Sequence, residues 1–512
     1  MAALLESLSE ELLVRIVTFT DRPSLPSLAL ASRTMNRLTN PELYASIDFK
    51  GASGDKGVEF LIPLTYCLLK NPDLATLVRS LSIRRKFGSA EDDFDYDVLI
   101  PLVEGGDNEF RKGWPSSADP QDIDALLQRA VGDMEDTEQG KDKLFNTVRN
   151  GTDEGSIIAI LLSNLPNLRS LDVAAGMTNA RFELLRFFQR VAKREAPFDR
   201  KPVLTNLSDV LISGWDQEIP SSSDLLGAYL GLPSIRRLHG HEMMTNYGGR
   251  VWEIVGALGR GTSPVEELEL RASQLGGEDL ERVLNSCRNL KTFICEIDHD
   301  WSLYPGRVSD IMKSMKAVEK TLENLVLEHG HGLFYDHTGE DGVVAVSLAN
   351  FKELRYLKIL SFFLEGYVQD QKVDLMSIFP ASLENLHLTY RRHPNLCVLW
   401  LLSALQQAIE HKDAIFSALR KLTVEGPYLG DLNRLEEIKE LVLTAKENGV
   451  EIVILAGDGL YACHWIETPE RGWGIDEEVE WKQCWENSSI NTAGLTLDVE
   501  WDESGVRKIN YT

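Results

Sequence analysis

The stretch VEELEL, residues 265 to 270, decides the fold that this sequence predicts. Its apolar residues are Val265, Leu268 and Leu270, so its second half alternates apolar and polar positions. This alternation is typical of a β-strand with one buried face. The same spacing recurs at residues 78–83, 168–173, 207–212, 290–295, 322–327, 354–359, 383–388, 419–424 and 450–455, and incompletely at Ile235 and Leu238, where Gly240 takes the third place.

Helical patterns lie between these strand phrases. Residues 276–290 place Leu280, Val283, Leu284 and Cys287 on one face of a helix, and residues 305–322 and 432–450 behave in the same way. One strand and one helix cannot bury their apolar faces alone, whereas stacked units share a continuous core. The repeats therefore resemble a leucine-rich-repeat solenoid of α/β class, with strands on the concave side and helices on the convex side. A doubly wound α/β domain is the alternative, and the scarcity of Gly-rich turns after the strands disfavours it.

Composition limits the partners and the compartment. The chain has 512 residues and a formal net charge of −26, which repels nucleic acid and anionic lipid surfaces. No apolar run reaches the ~18 residues that a membrane-spanning helix needs. The first residues lack the positive start of a secretory signal, and the six cysteines form no C-x-x-C pair. We expect a protein of the cytoplasm, the nucleus or both, with reduced thiols and no nucleic acid or membrane as a ligand.

Two regions fall outside the repeat pattern. Residues 84–150 include AEDDFDYD and PSSADPQD, and we predict an acidic insertion within a repeat domain of residues 51–455. Residues 456–512 hold Trp465, Trp473, Trp481, Trp485 and Trp501, half of the tryptophans in the chain. Because the last unit of a solenoid exposes its core, we predict that this segment is a C-terminal cap.

The first 50 residues read as a separate helical module. Ser7 and Glu10 have the spacing of a capping box, which predicts a helix that ends near Thr18. The prolines predict breaks at residues 21–23 and 40–41, with a second helical piece from Leu25 to about Arg37 and a third element that begins at Leu43. So short a module buries little surface by itself, and we expect it to dock onto another surface.

The module resembles an F-box. That motif usually reads L-P-x-E-[LV]-L-x-x-I near its start and ends with a proline, a leucine and an aromatic residue. Ser9 stands where the motif usually has its proline, and a serine can also begin a helix. The residues that carry the resemblance are Leu8, Glu11, Leu12, Ile16, Leu25, Leu28, Ser32, Arg33, Pro41, Leu43, Tyr44 and Ile47.

With the repeats behind this module, the whole chain resembles the fungal-type F-box proteins with leucine-rich repeats. The resemblance implies a substrate-recognition subunit of a Skp–cullin–F-box ubiquitin ligase, which is not itself an enzyme and uses no cofactor. Its partners would be a Skp adaptor, through it the cullin and RING subunits, and a protein substrate. By the family pattern, the Skp-binding residues would be Leu8, Leu12, Ile16, Leu25 and Leu28.

Histidines and aromatic residues collect just after the repeat strands. In a solenoid these positions share one rim, and loops on rigid scaffolds commonly bind partners. We predict substrate contacts from the rim residues Trp301, His329, His331, Phe334, Tyr335 and Tyr390.

Other functions stay open. The chain has no G-x-S-x-G elbow, no H-E-x-x-H pair and no Gly-rich phosphate loop. The segment EHGHGLFYDHTGED, residues 328–341, is dense in histidines and acids, but its spacing fixes no metal geometry, and we predict no metal site. One alternative is a repeat scaffold with no ubiquitin role; another is a hydrolase on an α/β fold that uses His and Asp from this segment.

Overall fold

The fold is taken from a computed structural model, which describes residues 7–49, 57–83, 118–150, 153–174, 180–213, 221–241, 243–244, 259–273, 275, 277–297, 308–329, 347–360, 363, 375–389, 398–426, 435–456, 498–499 and 509–510. The chain separates into two compact units, the first reaching from the N-terminus to His239 and the second holding most of the chain from Gly240 onward.

The structure is of α/β class. Its helices, in chain order, are α1 Glu10–Phe19, α2 Leu25–Ala29, α3 Arg33–Ala45, α4 Gly57–Lys70, α5 Pro72–Ala75, α6 Pro120–Gly132, α7 Glu138–Asn150, α8 Glu154–Ser163, α9 Ala180–Lys193, α10 Ser223–Leu230, α11 Gly277–Ser286, α12 Val308–Ser314, α13 Leu375–Ile378, α14 Val398–Glu410, α15 Lys412–Ile415 and α16 Leu435–Glu447. Short 3₁₀ turns cover Arg22–Ser24 and Met315–Val318.

The strands, in chain order, are β1 Ser46–Phe49, β2 Ser80–Ile83, β3 Ser170–Ala174, β4 Asp209–Ser213, β5 Ser221–Ser222, β6 Arg237–His241, β7 Met243–Met244, β8 Glu267–Ser273, β9 Thr292–Ile297, β10 Asn324–His329, β11 Tyr356–Leu360, β12 Asn385–Thr389, β13 Lys421–Gly426, β14 Glu451–Ala456, β15 Asp498–Val499 and β16 Ile509–Asn510. Every strand phrase of the sequence, including the incomplete one, is a strand. The strand at Ser46–Phe49 was missed, because it lies in the segment assigned to the helical module.

Twelve of these strands form parallel β-sheet, and their order in the sheet is the same as their order in the sequence. In the first unit the order is β1-β2-β3-β4-β6, and in the second it runs from β8 to β14 without a reversal. The pairs are in register, with Leu81 opposite Leu171 and Leu325 opposite Leu357. A doubly wound sheet needs a point at which the strand order reverses. Within each unit the described strands show no reversal, so they do not have the doubly wound topology.

The helices pack in the same succession as the strands that they connect. In the first unit α4 contacts α8, α8 contacts α9 and α9 contacts α10, and in the second unit α14 contacts α16. Crossovers between parallel strands are almost always right-handed, and here each one steps in the same direction. Helices joined in this way cover the same face of the sheet, which is the arrangement expected of stacked strand–helix units.

The apolar positions of the strand phrases form the core, except in the last phrase, where Ile452 rather than Val453 is the register partner of Leu422. Leu268 and Leu270 are buried, as are Leu325 and Leu327 two strands away. These side chains face the helices because alternate residues of a strand point to the same side. The core is therefore continuous along each unit, as the repeated phrase predicts.

At five places among the described residues, a short polar side chain donates a hydrogen bond to the preceding repeat. Asn167 Nδ2 donates to the carbonyl of Thr76 at 2.7 Å, and Asn206 Nδ2 donates to the carbonyl of Pro166 at 2.9 Å. The equivalent contacts come from Ser234 to Leu204, Thr321 to Leu290 and Ser382 to Leu354. Each donor directly precedes the first apolar residue of a strand phrase, and it adds a side-chain hydrogen bond to a carbonyl of the preceding repeat.

Gly240 explains the incomplete strand phrase. A Cβ added at this position would lie 2.7 Å from Cγ of Met243 and 3.1 Å from Cδ2 of Leu270. The buried Met243 side chain occupies the space that the third apolar residue of the phrase takes in the other repeats. Met243, three positions after Gly240, therefore supplies the third apolar side chain of this repeat.

The end of the predicted acidic insertion is helical. Helices α6 and α7 occupy residues 120–150, and the turn between them is anchored by Arg190 of α9. Arg190 Nη1 lies 2.6 Å from Glu135 Oε1, and Nη2 donates to the carbonyls of Met134 and Ala196. Residues 84–117 lie outside the described residues, as does most of the predicted cap at 456–512.

In the part of the chain that the structure describes, no helix has the length and apolar character needed to cross a membrane.

Candidate docking surface

The first helix begins one residue after Ser9. Ser9 is its N-cap and makes no side-chain capping bond to the helix, so the predicted capping box of Ser7 with Glu10 is wrong. The physical reason is that the Glu10 carboxylate is bound elsewhere, to the guanidinium of Arg37. Helix α1 then runs to Phe19, one residue beyond the predicted end, and a serine does start the helix where an F-box usually has proline.

The second helical piece is divided at Ser32. This residue caps α3, with its hydroxyl accepting from the amide of Met35 at 3.2 Å. The predicted break at residues 40–41 is wrong, because Pro41 lies inside α3, which continues to Ala45. Proline removes one hydrogen bond from a helix but leaves the turns on either side intact. Burial of Met35 and Leu38 on the core side holds the helix together across this position.

The three helices share a small core. It consists of Leu13 and Val17 from α1, Leu25 from α2, and Met35 and Leu38 from α3. Leu28 and Leu43 pack against its border. The spacing of four residues between Leu13 and Val17 puts both on the inner side of α1.

Helix α1 has a second apolar side, which faces outward. Leu12, Ile16 and Phe19 follow one another at the four- and three-residue steps of a helix face, and Leu8 precedes them by one turn. We call these four residues the outer stripe. Leu12 is 47% exposed and Phe19 is 86% exposed, while Ile16 is half-buried. A helix that is apolar on two sides is typical of one that is covered on both.

Exposed apolar residues are concentrated in this module. Six large apolar side chains are exposed among the described residues, and five of them lie between residues 8 and 30. Besides the stripe they include Val14 and Leu30, of which Leu30 is 86% exposed at the end of α2. The sixth is Leu443 on α16 of the second unit, 46% exposed. Such a concentration of exposed apolar surface marks an interaction site more often than a chance feature.

The structure divides the five predicted Skp-binding residues into three groups. Leu8 and Leu12 are exposed, and Ile16 and Leu28 are half-buried. Leu25 is only 4% exposed and belongs to the core of the module. Two of the most exposed apolar residues, Phe19 and Leu30, were not predicted. The spacing of seven residues between Leu12 and Phe19 would have found the first; Leu30 follows the short helix α2 and carries no such periodic signal.

An ion pair joins the first and third helices. Arg37 Nη1 donates to Glu10 Oε1 at 3.1 Å, and Nη2 donates to Oε2 at 2.8 Å. The hydrogen bonds and charge of the guanidinium hold the pKa of the Glu10 carboxyl below its usual value and raise the pKa of Arg37. This paired geometry fixes α1 relative to α3 and so presents the outer stripe in one orientation.

The module continues into the sheet without a linker. Helix α3 ends at Ala45 and β1 begins at Ser46, where it pairs with β2. The amide of Arg79 donates to the carbonyl of Ala45 at 2.9 Å, and the Arg22 side chain donates to the carbonyl of Ser46. Within the first unit, the exposed helices are therefore fixed to the first strands by backbone hydrogen bonds.

The strand face opposite the core carries polar groups in the second unit. Lys358 and His387 are register partners on β11 and β12, and both are buried. Lys358 Nζ lies 2.7 Å from Oε1 of Glu328 on β10. This face therefore holds a largely buried ion pair, whereas the core side of the same strands is apolar.

Most of the predicted substrate contacts lie outside the described residues: Trp301, His331, Phe334, Tyr335 and Tyr390. His329 is the last residue of β10, and its backbone pairs with that of Ile297. Within the described ranges, no group of three or more His, Cys, Asp or Glu side chains is placed to hold a metal ion.

No protein-family model matches the chain, and no curated protein is significantly similar to it.

Proposed function

We propose that this protein is the substrate-recognition subunit of a Skp–cullin–F-box ubiquitin ligase, which docks on a Skp adaptor through its N-terminal module. The observation that carries the proposal is the outer stripe of α1, whose Leu12 and Phe19 are exposed although a neighbouring face of the same helix packs a core. Covering an exposed large apolar side chain stabilises a complex by about 1.5–3 kcal/mol. A helical partner surface that buries this stripe would therefore bind firmly.

The second part of the proposed function, substrate binding, belongs to the repeats. The parallel strands in chain order, the helices packed in succession and the side-chain ties between repeats support a leucine-rich-repeat-like solenoid. In this proposal the repeat domain holds a protein substrate through the rim that follows its strands, because Lys358 and His387 on the strand face are themselves buried. The rate of ubiquitin transfer then rises because the substrate is kept close to the charged E2 enzyme, without chemistry on this chain.

Co-purification with a tagged Skp adaptor tests the proposal. Removing residues 1–50 is a poor test, because β1 is lost with them and β2 loses a strand partner. The substitution Phe19→Glu keeps the strand and puts a charge on the outer stripe. The full-length chain is expected to co-purify with the adaptor, and the F19E variant is expected to be lost from the complex.

The same experiment also distinguishes the proposed function from the main alternative. A repeat scaffold with no ubiquitin role would leave the full-length chain free of the adaptor, although it is folded and intact. That result would overturn the proposed function while leaving the fold unchanged.

A further inference from the structure

Four exposed arginines line one edge of the first unit. Three of them directly precede the first residue of a strand: Arg79 precedes β2, Arg169 precedes β3 and Arg236 precedes β6. The fourth, Arg22, donates a hydrogen bond to the carbonyl of Ser46 at the start of β1. We call these four residues the basic edge. Its members are held in sequence by the backbone: the amide of Arg169 donates to the carbonyl of Arg79 at 2.7 Å. The amide of Ser208 donates to Arg169, and that of Arg236 donates to Ser208.

The same column of positions in the second unit is built differently. There the residues alternate in sign, and they are linked by the same backbone contacts: Glu266, Lys291, Glu323, Arg355, Glu384 and Arg420. Side chains in this column form ion pairs. Lys291 Nζ lies 2.7 Å from Glu266 Oε2, and Glu384 lies between Arg355 and Arg420, at 3.9 Å from each.

The described residues provide no such neutralisation for the basic edge. Among the described residues none of its four arginines forms an ion pair, although the chain as a whole carries a net charge of −26. Adjacent parallel strands lie about 4.8 Å apart, so the like charges of the neighbouring Arg79 and Arg169 repel one another. The second unit shows that this fold can neutralise the column within its own repeats, whereas the described residues of the first unit leave the column positive.

We propose that the basic edge is a second interaction surface, which binds an extended acidic segment of a partner protein. Arginine suits this role because its planar guanidinium pairs with a carboxylate through two hydrogen bonds. The surface does not depend on adaptor docking, since it uses different residues and a different chemistry from the outer stripe.

The dimensions of the edge select a short peptide. From Arg79 to Arg236 the column crosses three strand spacings, about 14 Å, which is the length of about four residues of an extended chain. A nucleic acid duplex carries a charge about every 1.7 Å, and the −26 field of this protein repels so dense a polyanion over a long range. A peptide with a few carboxylates is attracted by the nearby arginines, and the net negative charge of the protein repels it much less than it repels a duplex.

Binding of a dye-labelled peptide of alternating glutamate and glycine tests the assignment. Fluorescence anisotropy is measured on the full-length protein, on the triple variant R79Q/R169Q/R236Q and on the control K291Q/R355Q/R420Q. The control removes the same number of charges from the same column of positions in the second unit. We expect the triple variant to bind about tenfold more weakly than the native protein, and the control to bind as the native protein does. Added salt weakens the native complex.

Three results would overturn the proposal. The first is a native protein that does not bind the peptide at low salt, and the second is an equal loss of binding in both variants. The third is a single-stranded DNA of equal charge that binds more tightly than the peptide and through the same arginines. Thermal unfolding of each variant checks that the loss of binding is measured on a folded chain.

Discussion

Glu10 and Arg37 join the first and third helices through two parallel hydrogen bonds, of 3.1 and 2.8 Å. Both side chains are more than half exposed, so water screens their attraction. The pair therefore contributes more to the orientation of α1 than to the free energy of unfolding. It holds α1 so that one side packs Leu13 and Val17 while the other presents Leu12 and Phe19.

The pairing predicts the acid titration of the module. Because Arg37 lowers the pKa of Glu10 below 4.5, folding gains stability from this group above that value and loses it as the pH falls through the lower folded pKa. Titration of the Glu10 carboxyl by NMR should give a midpoint below 4.5 in the native protein and a return toward 4.5 in Arg37→Gln. The same midpoint in both proteins would show that the pair does not form in solution.

The close packing at Gly240 predicts a large effect for a small change. Gly240→Ala places a methyl group 2.7 Å from Met243 Cγ, and overpacking of this kind destabilises a protein by about 1–3 kcal/mol. Gly132→Ala is the control, since an added Cβ there meets nothing within 4 Å and alanine favours the end of helix α6. Urea denaturation should separate the two variants. Equal stability would mean that Met243 does not fill the place left by the glycine.

Two cysteines should be inert in the folded protein. Burial raises the pKa values of the Cys287 and Cys295 thiols to about 12, so the reactive thiolate is nearly absent at neutral pH. Cys67 is only half-buried. Among these three cysteines, alkylation followed by peptide mass spectrometry should modify Cys67 without denaturant, and Cys287 and Cys295 only after denaturant is added. Rapid modification of all three without denaturant would contradict the described packing.

Arg190 should be a strong anchor of helices α6 and α7. Its guanidinium is largely buried beside Glu135, and it stacks over the ring of Phe198, 5.3 Å from the centroid. Arg190→Ala leaves a buried carboxylate without its partner, which costs about 3 kcal/mol. Arg186→Ala removes an exposed pair with Glu183 and should cost less than about 1 kcal/mol. Denaturant unfolding of the two variants measures the difference; similar losses would remove the special role of Arg190.

The repeat phrase was sufficient to place every strand of the parallel sheet except β1. Apolar residues such as Leu268 and Leu270 recur because each must fill the same space between sheet and helix, and that constraint is visible in the sequence. The contacts of Asn167 and Ser234 with the preceding repeat were not predicted. Short polar residues at a turn have many possible local partners, so their spacing does not identify the carbonyl that they bind.

The N-terminal module shows where local reasoning fails. Proline at position 41 predicted a break, and packing of the surrounding helix outweighed that preference. Strand β1 was missed because four residues carry too little alternation to be recognised, and it exists through its pairing with β2. Among the predicted contact residues, only the structure could separate the core residue Leu25 from the exposed Leu12, since both fit the same apolar pattern.

The affinity of the full-length protein for a purified Skp adaptor tests the central claim most directly. The native protein is compared by calorimetric titration with L12E/F19E and with L443E, which changes a similarly exposed leucine in the second unit. We predict that the double variant binds about 100-fold more weakly, because two apolar contacts are lost, while L443E binds as tightly as the native protein. An adaptor that binds the double variant as tightly as the native protein, or that binds neither, would contradict the account.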